Sequence, residues 1–132
     1  MADHQLTRNQ SLVLDALTHA EAPLSAYTIL DKLRDHGFRA PLQVYRALEK
    51  LLEFGLIHRL ESINAFVACA HRHDHAHEHG VTAFTICEDC GGVTELCDPV
   101  IEERLSFLAS QQQFKTEKTT IEIRGHCQSC AA

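Results

Sequence analysis

Two cysteine pairs with the same short spacing lie in the second half of this 132-residue chain, Cys87-Glu-Asp-Cys90 and Cys127-Gln-Ser-Cys130. A Cys-x-x-Cys turn presents both sulfurs on one side, so two such turns can surround a zinc ion tetrahedrally. We therefore predict a structural tetrathiolate zinc site. A thioredoxin-like redox pair is the alternative, but that motif belongs to a strand-to-helix setting that this sequence lacks.

A second set of possible ligands mixes nitrogen, sulfur and oxygen donors. His58 and Cys69 stand at the start and the end of a predicted hairpin, where antiparallel pairing can bring them together. Glu95 lies on a later predicted strand. His77 and His79 lie in a His-rich segment between the hairpin and that strand. Because this mixture is typical of zinc, we predict a second zinc site that ties both halves of the chain together. Taken singly, each residue is an ordinary buried or solvated side chain.

The elements that must position these side chains follow from the apolar spacing and the turn residues. Three amphipathic helices are followed by a β-hairpin, which together predict a winged helix-turn-helix domain over residues 1–70. The helices are predicted over 10–20, 26–35 and 42–54, and the hairpin strands over 56–60 and 65–69.

The second half begins after residues 71–80, a low-complexity His-rich segment that we predict to be a hinge. Strands are predicted over 83–87, 93–96 and 118–124, with a helix opening at Asp98-Pro99. One helix covers only part of so small a sheet, so we expect a second copy to complete the core. The predicted class is α+β, an N-terminal winged helix-turn-helix domain plus a small C-terminal α/β dimerisation domain over 81–132.

The composition is that of a globular protein, with 45% apolar and 23% charged residues. Its apolar runs fall far short of the roughly 20 residues that span a bilayer, and the N-terminus lacks a hydrophobic signal segment. We therefore expect a cytoplasmic protein without a membrane partner. The cytosol keeps thiols reduced, so six cysteines indicate metal ligands or redox thiols rather than disulfides.

The net charge of −6 is distributed unevenly along the chain. Residues 1–60 carry seven bases and seven acids, whereas the remainder carries five bases and eleven acids. A neutral half can still bind phosphates if its bases share one face, and an acidic half rich in Cys and His suits divalent cations.

The third helix carries a polar outward face that includes Gln43, Tyr45, Arg46 and Lys50. By itself this set describes a solvated helix surface. A winged helix, however, places its recognition helix in the major groove of DNA, where Arg can bind guanine and polar side chains can hold phosphates. We therefore predict that these four residues bind double-stranded DNA.

Several of these motifs together resemble one family, the ferric-uptake-regulator family of metal-dependent repressors, and most of all its zinc-sensing branch. The likeness extends from Leu6 to Cys130. It rests on the segment beginning Pro41-Leu-Gln-Val-Tyr-Arg-Ala-Leu, on Phe66-Val-Ala-Cys69, on Cys87-Glu-Asp-Cys90-Gly and on Gly125-His-Cys-Gln-Ser-Cys130.

The resemblance implies a homodimeric repressor that binds operator DNA when zinc-loaded and that controls zinc uptake genes, with Tyr45 and Arg46 on the recognition helix. It implies at least two zinc ions per protomer. The structural ligands would be Cys87, Cys90, Cys127 and Cys130, and the regulatory ligands His58, Cys69 and Glu95 with His79 or His77.

Other functions remain as alternatives. An iron, manganese or peroxide sensor of the same family is the nearest, although the Cys69 thiolate favours zinc. A zinc-buffering or redox thiol protein that does not bind DNA is the second. An enzyme acting on a small organic substrate is not expected, because no nucleophile motif is visible. A third metal site could consist of Glu102, His126 and a histidine of the hinge, and Cys97 has no assigned role.

Overall fold

The computed structural model describes residues 5–70 and 81–131. They form two compact units, one within residues 1–72 and one within 73–132. The first consists of three helices and a two-stranded hairpin, and the second contains a three-stranded sheet and two helices. The predicted α+β class is thus confirmed. None of the described helices is long and apolar enough to cross a membrane.

Helix α1 (Arg8–Thr18) begins two residues earlier than the apolar spacing predicts, because a capping box precedes it. Gln10 N donates to Thr7 Oγ1 at 3.2 Å, and Thr7 N donates back to Gln10 Oε1 at 3.0 Å. This reciprocal pair satisfies backbone N–H groups that have no partner inside the first helical turn.

Helix α2 (Ala26–Leu33) begins after the predicted N-cap Ser25, whose side-chain oxygen accepts a hydrogen bond from Thr28 N at 3.2 Å. It ends two residues before the predicted position, since the chain tightens into a 3₁₀ turn over Arg34–His36. Gly37 then leaves the turn at φ 96°, in the left-handed region that favours glycine.

Helix α3 (Pro41–Glu53) has proline at its first position, where the missing N–H costs nothing. The antiparallel strands β1 (Ile57–Leu60) and β2 (Ala65–Ala68) follow and form the wing. A short bridge between Leu24 and Phe66 joins this wing to the segment before α2. The first unit is therefore a winged helix-turn-helix, as the sequence predicts.

One apolar core fills the first unit. Val44, Leu48 and Leu51 on α3 are exposed by at most 1%, which places the predicted apolar stripe of this helix in the centre. Each other element of this unit contributes at least one buried side chain. The largest of these include Val13, Leu17, Ile29, Leu30, Phe38, Ile57 and Phe66.

The second unit follows the predicted order of strand, strand, helix and strand, and it adds a short final helix. Its elements are β3 (Val81–Cys87), β4 (Val93–Leu96), α4 (Pro99–Gln111), β5 (Thr119–Gly125) and α5 (Gln128–Ala131). Strand β3 lies in the middle, antiparallel to β4 and parallel to β5. Helix α5 was not predicted, because four residues are too few for an apolar period.

Helix α4 packs loosely in comparison with the helices of the first unit. All of it lies within the described part of the chain, and none of its residues is buried. Its large apolar side chains Val100, Ile101, Phe107 and Leu108 are exposed, as is Phe114 beyond its end. In a single copy of the chain, the second unit thus leaves much apolar surface exposed.

Candidate metal centre and nucleic-acid interface

The four clustered cysteines meet at one end of the sheet in the second unit. Parallel pairing places Cys87, the last residue of β3, opposite Gly125, the last residue of β5. Cys90 lies in the turn after β3, Cys127 lies between β5 and α5, and Cys130 lies on α5. The four sulfur atoms all lie within 4.8 Å of one another. The sheet register therefore assembles ligands that are 40 residues apart along the chain.

Backbone N–H groups point at two of these sulfurs. Cys127 N donates to Cys87 Sγ and Gly92 N donates to Cys90 Sγ, both at 3.4 Å. A Cβ added to Gly92 would lie 3.3 Å from Cys90 Sγ, so a larger residue there would press on the sulfur. Hydrogen bonds of this kind orient metal ligands and disperse the negative charge of a thiolate.

The thiols also influence one another electrostatically. Hydrogen bonds from the backbone N–H groups of Cys90 and Cys127 lower the pKa of Cys87 from 9.0 to about 6. The neighbouring Cys127 and Cys87 sulfurs raise the pKa of Cys130 to about 12. One thiolate therefore forms readily, and its presence opposes the ionisation of another thiol. A divalent cation would relieve this opposition, because it stabilises several thiolates together.

The donor chemistry of this cluster fits a closed zinc site. Four sulfur ligands favour zinc or an iron–sulfur centre, and four mutually close thiols can form the tetrahedron of a structural zinc site. The redox alternative fits less well. Cys87 is followed by a turn, and although Cys127 does lie between a strand and a helix, which the sequence analysis did not expect, that helix has only four residues. All six cysteines are free thiols.

His126 lies beside this cluster and has an acidic partner. Its Nδ1 atom is 2.6 Å from Asp89 Oδ2, and both residues are half exposed. The sequence instead grouped His126 with Glu102 and a histidine of the hinge in a third metal site. That histidine lies outside the described residues, so the third site stays a prediction.

The ligands predicted for the regulatory site fall on both units. In the first unit, His58 lies on β1 opposite Val67, and Cys69 directly follows β2. The ligand atoms of His58 and Cys69 lie within 4.8 Å of each other, and Cys69 is only 4% exposed. In the second unit, Glu95 lies on β4 opposite Phe84.

The remaining predicted ligands, His77 and His79, lie outside the described residues. The hairpin register therefore brings together the two predicted donors of the first unit, one imidazole and one thiol. Such a pair can contribute half of a four-coordinate zinc site.

The outward face of α3 presents the residues predicted to contact DNA. Tyr45 is 41% exposed, and Arg46 and Lys50 are exposed beside it. Lys50 also forms an exposed ion pair with Glu53 at 3.2 Å, which is weak in water. The face thus offers an aromatic ring and two cations at the surface of a helix whose opposite side is fixed in the core.

A groove of about 460 Å³ separates the start of α1 from this face of α3. Its lining is polar and contains two bases and one acid. The lining residues are Thr7, Asn9, Gln10, Gln43, Arg46, Ala47, Glu49 and Lys50. Two of the seven bases in residues 1–60, Arg46 and Lys50, therefore share this face.

Gln43 has a role that the sequence analysis missed. Its Oε1 atom accepts hydrogen bonds from Arg39 N at 2.7 Å and from Ala40 N at 3.1 Å, which caps the start of α3. The signal was available, because glutamine at the third helical position is the second half of a capping box. Ala40 at the N-cap position concealed it, since alanine cannot supply the first half.

Comparison with known proteins identifies the class. The model of the ferric uptake regulator family matches residues 2–124, and the chain belongs to this family. Among curated proteins it is similar to the zinc uptake regulation protein of Escherichia coli (strain K12). The two are 37% identical over 127 residues, which cover 96% of this chain and 72% of that protein.

Two solved structures agree with this placement. One is a zinc uptake regulator complexed with zinc and DNA, with 35% identity and a TM-score of 0.89, covering 96% of this chain and 83% of that chain. The other is holo XcZur, with 36% identity and a TM-score of 0.86, covering 98% of this chain and 89% of that chain. Both resemble this protein in sequence as well as in fold.

Proposed function

We propose that this protein is a zinc-responsive transcriptional repressor, and not an enzyme, that binds operator DNA as a homodimer when its regulatory zinc site is filled. The observation that carries this proposal is the likeness, over 96% of the chain, to a zinc uptake regulator complexed with zinc and DNA. Its targets would be genes for zinc uptake, as the name of the curated relative suggests. A cytoplasmic location follows, because operator DNA and reduced thiols are found there.

The reading element would be helix α3. Its inner face is anchored by fully buried side chains, so its outer face can enter a major groove without distortion of the unit. Arg46 can donate two parallel hydrogen bonds to guanine, and Lys50 can neutralise a phosphate. Tyr45 can place its ring against a base or its hydroxyl on the backbone. Binding should weaken as salt rises, because phosphate contacts release counterions.

The structural zinc site would be the cysteine cluster of the second unit. The short sulfur-to-sulfur distances and the opposing pKa shifts of Cys87 and Cys130 support this assignment. Zinc bound there supplies a divalent positive charge and a cross-link between the turn after β3 and the end of the chain. The ligands are Cys87, Cys90, Cys127 and Cys130.

The regulatory site would use His58 and Cys69 from the first unit, Glu95 from the second, and His79 or His77 from the hinge. The proximity of the His58 and Cys69 donors supports the half that belongs to the first unit. With the structural site, this gives at least two zinc ions per protomer. Because the ligands come from both units, filling the site restricts how the two units are oriented.

That restriction provides the coupling to DNA. Two recognition helices must match successive major grooves, and freely oriented units rarely do so. To move the equilibrium from mostly unsuitable to mostly suitable orientations, zinc must bind the suitable ones more favourably by about 5 kcal/mol. Structural zinc sites in peptides supply about 10–16 kcal/mol, so a four-ligand site is sufficient.

The homodimer would form through the second unit. The apolar side chains of α4, including Phe107 and Leu108, are exposed in the single copy, and Phe114 is also exposed. An isologous contact across a two-fold axis would bury this surface and place one reading helix on each half of a palindromic operator.

The test is DNA binding measured by fluorescence anisotropy, on duplexes that the zinc-loaded protein selects from a random-sequence pool. We expect tight binding with zinc, loss of binding after chelation, and recovery when zinc but not iron or manganese is returned. Binding that is indifferent to zinc, or no selection of any duplex, would refute the proposal. Recovery with iron or manganese alone would favour the other sensors of the family.

A cysteine substitution tests the regulatory ligands. Cys69→Ser should no longer bind DNA more tightly when zinc is added, because a hydroxyl is a poor zinc ligand. The matched change Cys97→Ser should keep the zinc-dependent DNA binding. If Cys69→Ser binds DNA with unchanged zinc dependence, Cys69 does not belong to the switch.

A further inference from the structure

Gln43 holds its side-chain amide in one orientation at the start of α3. Its Oε1 atom accepts hydrogen bonds from two backbone groups, Arg39 N at 2.7 Å and Ala40 N at 3.1 Å. Of the two ends of an amide, only the oxygen can accept a hydrogen bond from an N–H group. The two backbone donors therefore fix which end of the amide is oxygen and which is nitrogen.

The nitrogen end is available for a ligand. Within the described residues, the Gln43 side chain has no hydrogen bonds other than the two that its oxygen accepts, and its backbone N donates separately to Ala40 O. The side chain is half-buried and borders the groove that Arg46 and Lys50 also line. Gln43 thus offers two N–H donors and no free acceptor on the same face as the two exposed bases.

We propose that Gln43 is a specificity-determining residue whose Nε2 atom donates a hydrogen bond to an acceptor on the edge of an operator base. The inference rests on the proposed function, since it requires α3 to lie in the major groove. In helix-turn-helix proteins the N-terminal residues of the recognition helix contact base edges, and Gln43 is the third residue of α3.

The fixed orientation determines which bases can be read. A free glutamine recognises adenine with both ends of its amide, through N6 and N7 of the base. Gln43 cannot do so, because its oxygen is engaged by the backbone. Guanine presents two acceptors in the major groove, and thymine and adenine present one each, whereas cytosine presents only a donor. Gln43 should therefore disfavour cytosine, and favour guanine or thymine over it, at one position of each half-site.

The variant Gln43→Glu tests this directly. One carboxylate oxygen can still accept from Arg39 N and Ala40 N, so the helix cap is kept, while the other oxygen replaces the donor with an acceptor. Gln10→Glu is the matched control, because Gln10 caps α1 in the same way, borders the same groove and gains the same charge. Gln43→Met removes both the cap and the donor and provides a second variant.

The experiment uses the zinc-loaded full chain and duplexes that the wild-type protein selects from a random-sequence pool, with all four bases then compared at each position. At one position per half-site, the wild-type protein should bind guanine or thymine about five- to tenfold more tightly than cytosine. Gln43→Glu should reverse this preference, Gln43→Met should abolish it, and Gln10→Glu should leave it unchanged.

Three results would overturn the inference. Equal weakening of Gln43→Glu on every duplex would mean that Gln43 contacts a phosphate, and unchanged preferences would mean that it contacts nothing. The same shift in Gln10→Glu would mean that charge alone is responsible. Failure of the wild-type protein to select any duplex would instead refute the proposed function, so the two failures are distinguishable.

Discussion

The two units of this protein reach stability in different ways. The first unit has a core to which all three helices contribute, and eight of the nine largest side chains that are less than 2% exposed in the described residues belong to it. The second unit buries only a few residues, chiefly on β3, and its long helix α4 buries none. We therefore expect the first unit to be stable on its own apolar core, and the second to need the proposed zinc cross-link and a second copy for its full stability.

The same contrast extends to charge and chemistry. The neutral half contains the exposed bases of α3, and the acidic half contains the four clustered cysteines. A unit that must read DNA benefits from a rigid core behind its reading helix. A unit that holds a structural metal gains stability from it, because metal binding then becomes part of its folding free energy.

Removal of zinc should give the largest difference in behaviour between the two units. After chelation, backbone amides in residues 81–131 should exchange markedly faster than in the zinc-loaded protein, because the second unit stays folded but loses the stabilisation of the tetrathiolate cross-link, while amides in α1 to α3 should keep their protection. Hydrogen-exchange mass spectrometry measures both sets in one sample. Equal loss of protection in both units would contradict the contrast.

Matched leucine truncations should give the next largest difference. Leu51→Ala, at 0% exposure, should lower the free energy of unfolding of the first unit by about 2–5 kcal/mol through cavity formation. Leu108→Ala, at 42% exposure, should change the unfolding of a single copy far less. Thermal and denaturant unfolding measure both, and similar losses would show that α4 is packed in a core.

A charge placed on the exposed apolar surface should affect assembly rather than folding. Phe107→Glu should shift the protein from dimer to monomer in sedimentation velocity, because the interface would lose an apolar ring and would have to desolvate a carboxylate beside Arg104. Tyr27→Glu introduces the same charge at an exposed aromatic residue of the first unit and should leave the dimer intact. A dimer that survives Phe107→Glu would place the interface elsewhere.

Proton release on zinc binding should give the smallest effect. Near neutral pH, Cys87 is already ionised because its pKa is about 6, whereas Cys130 must lose a proton because its pKa is about 12. As pH falls through 6, Cys87 becomes protonated, and each bound zinc should release about one further proton. Calorimetry in buffers of different ionisation enthalpy counts these protons. A count that does not rise below pH 6 would contradict the assigned shift.

The sequence predicted those features that depend on local spacing. The helices of the first unit follow from apolar periods, and the cysteine ligands follow from two short motifs. It did not predict the parallel pairing of β3 with β5, which depends on contacts between distant segments. It also missed the cap formed by Gln43, because alanine at the N-cap position hides that motif, and helix α5, which has no measurable period.

The regulatory ligands show the same limit. His58 and Cys69 could be paired from the sequence because a hairpin register is local. The choice between His77 and His79 could not be made, since the low-complexity segment has histidine at every second position and no pattern that distinguishes one from another.

The most direct test of the account is a stepwise zinc titration of the metal-free protein, with zinc occupancy and operator affinity measured at each step. We predict that the first equivalent per protomer fills the cysteine cluster and leaves affinity low, and that the second raises affinity sharply. An affinity that is already maximal after the first equivalent, or that never changes, would contradict the claim that a second zinc site controls DNA binding.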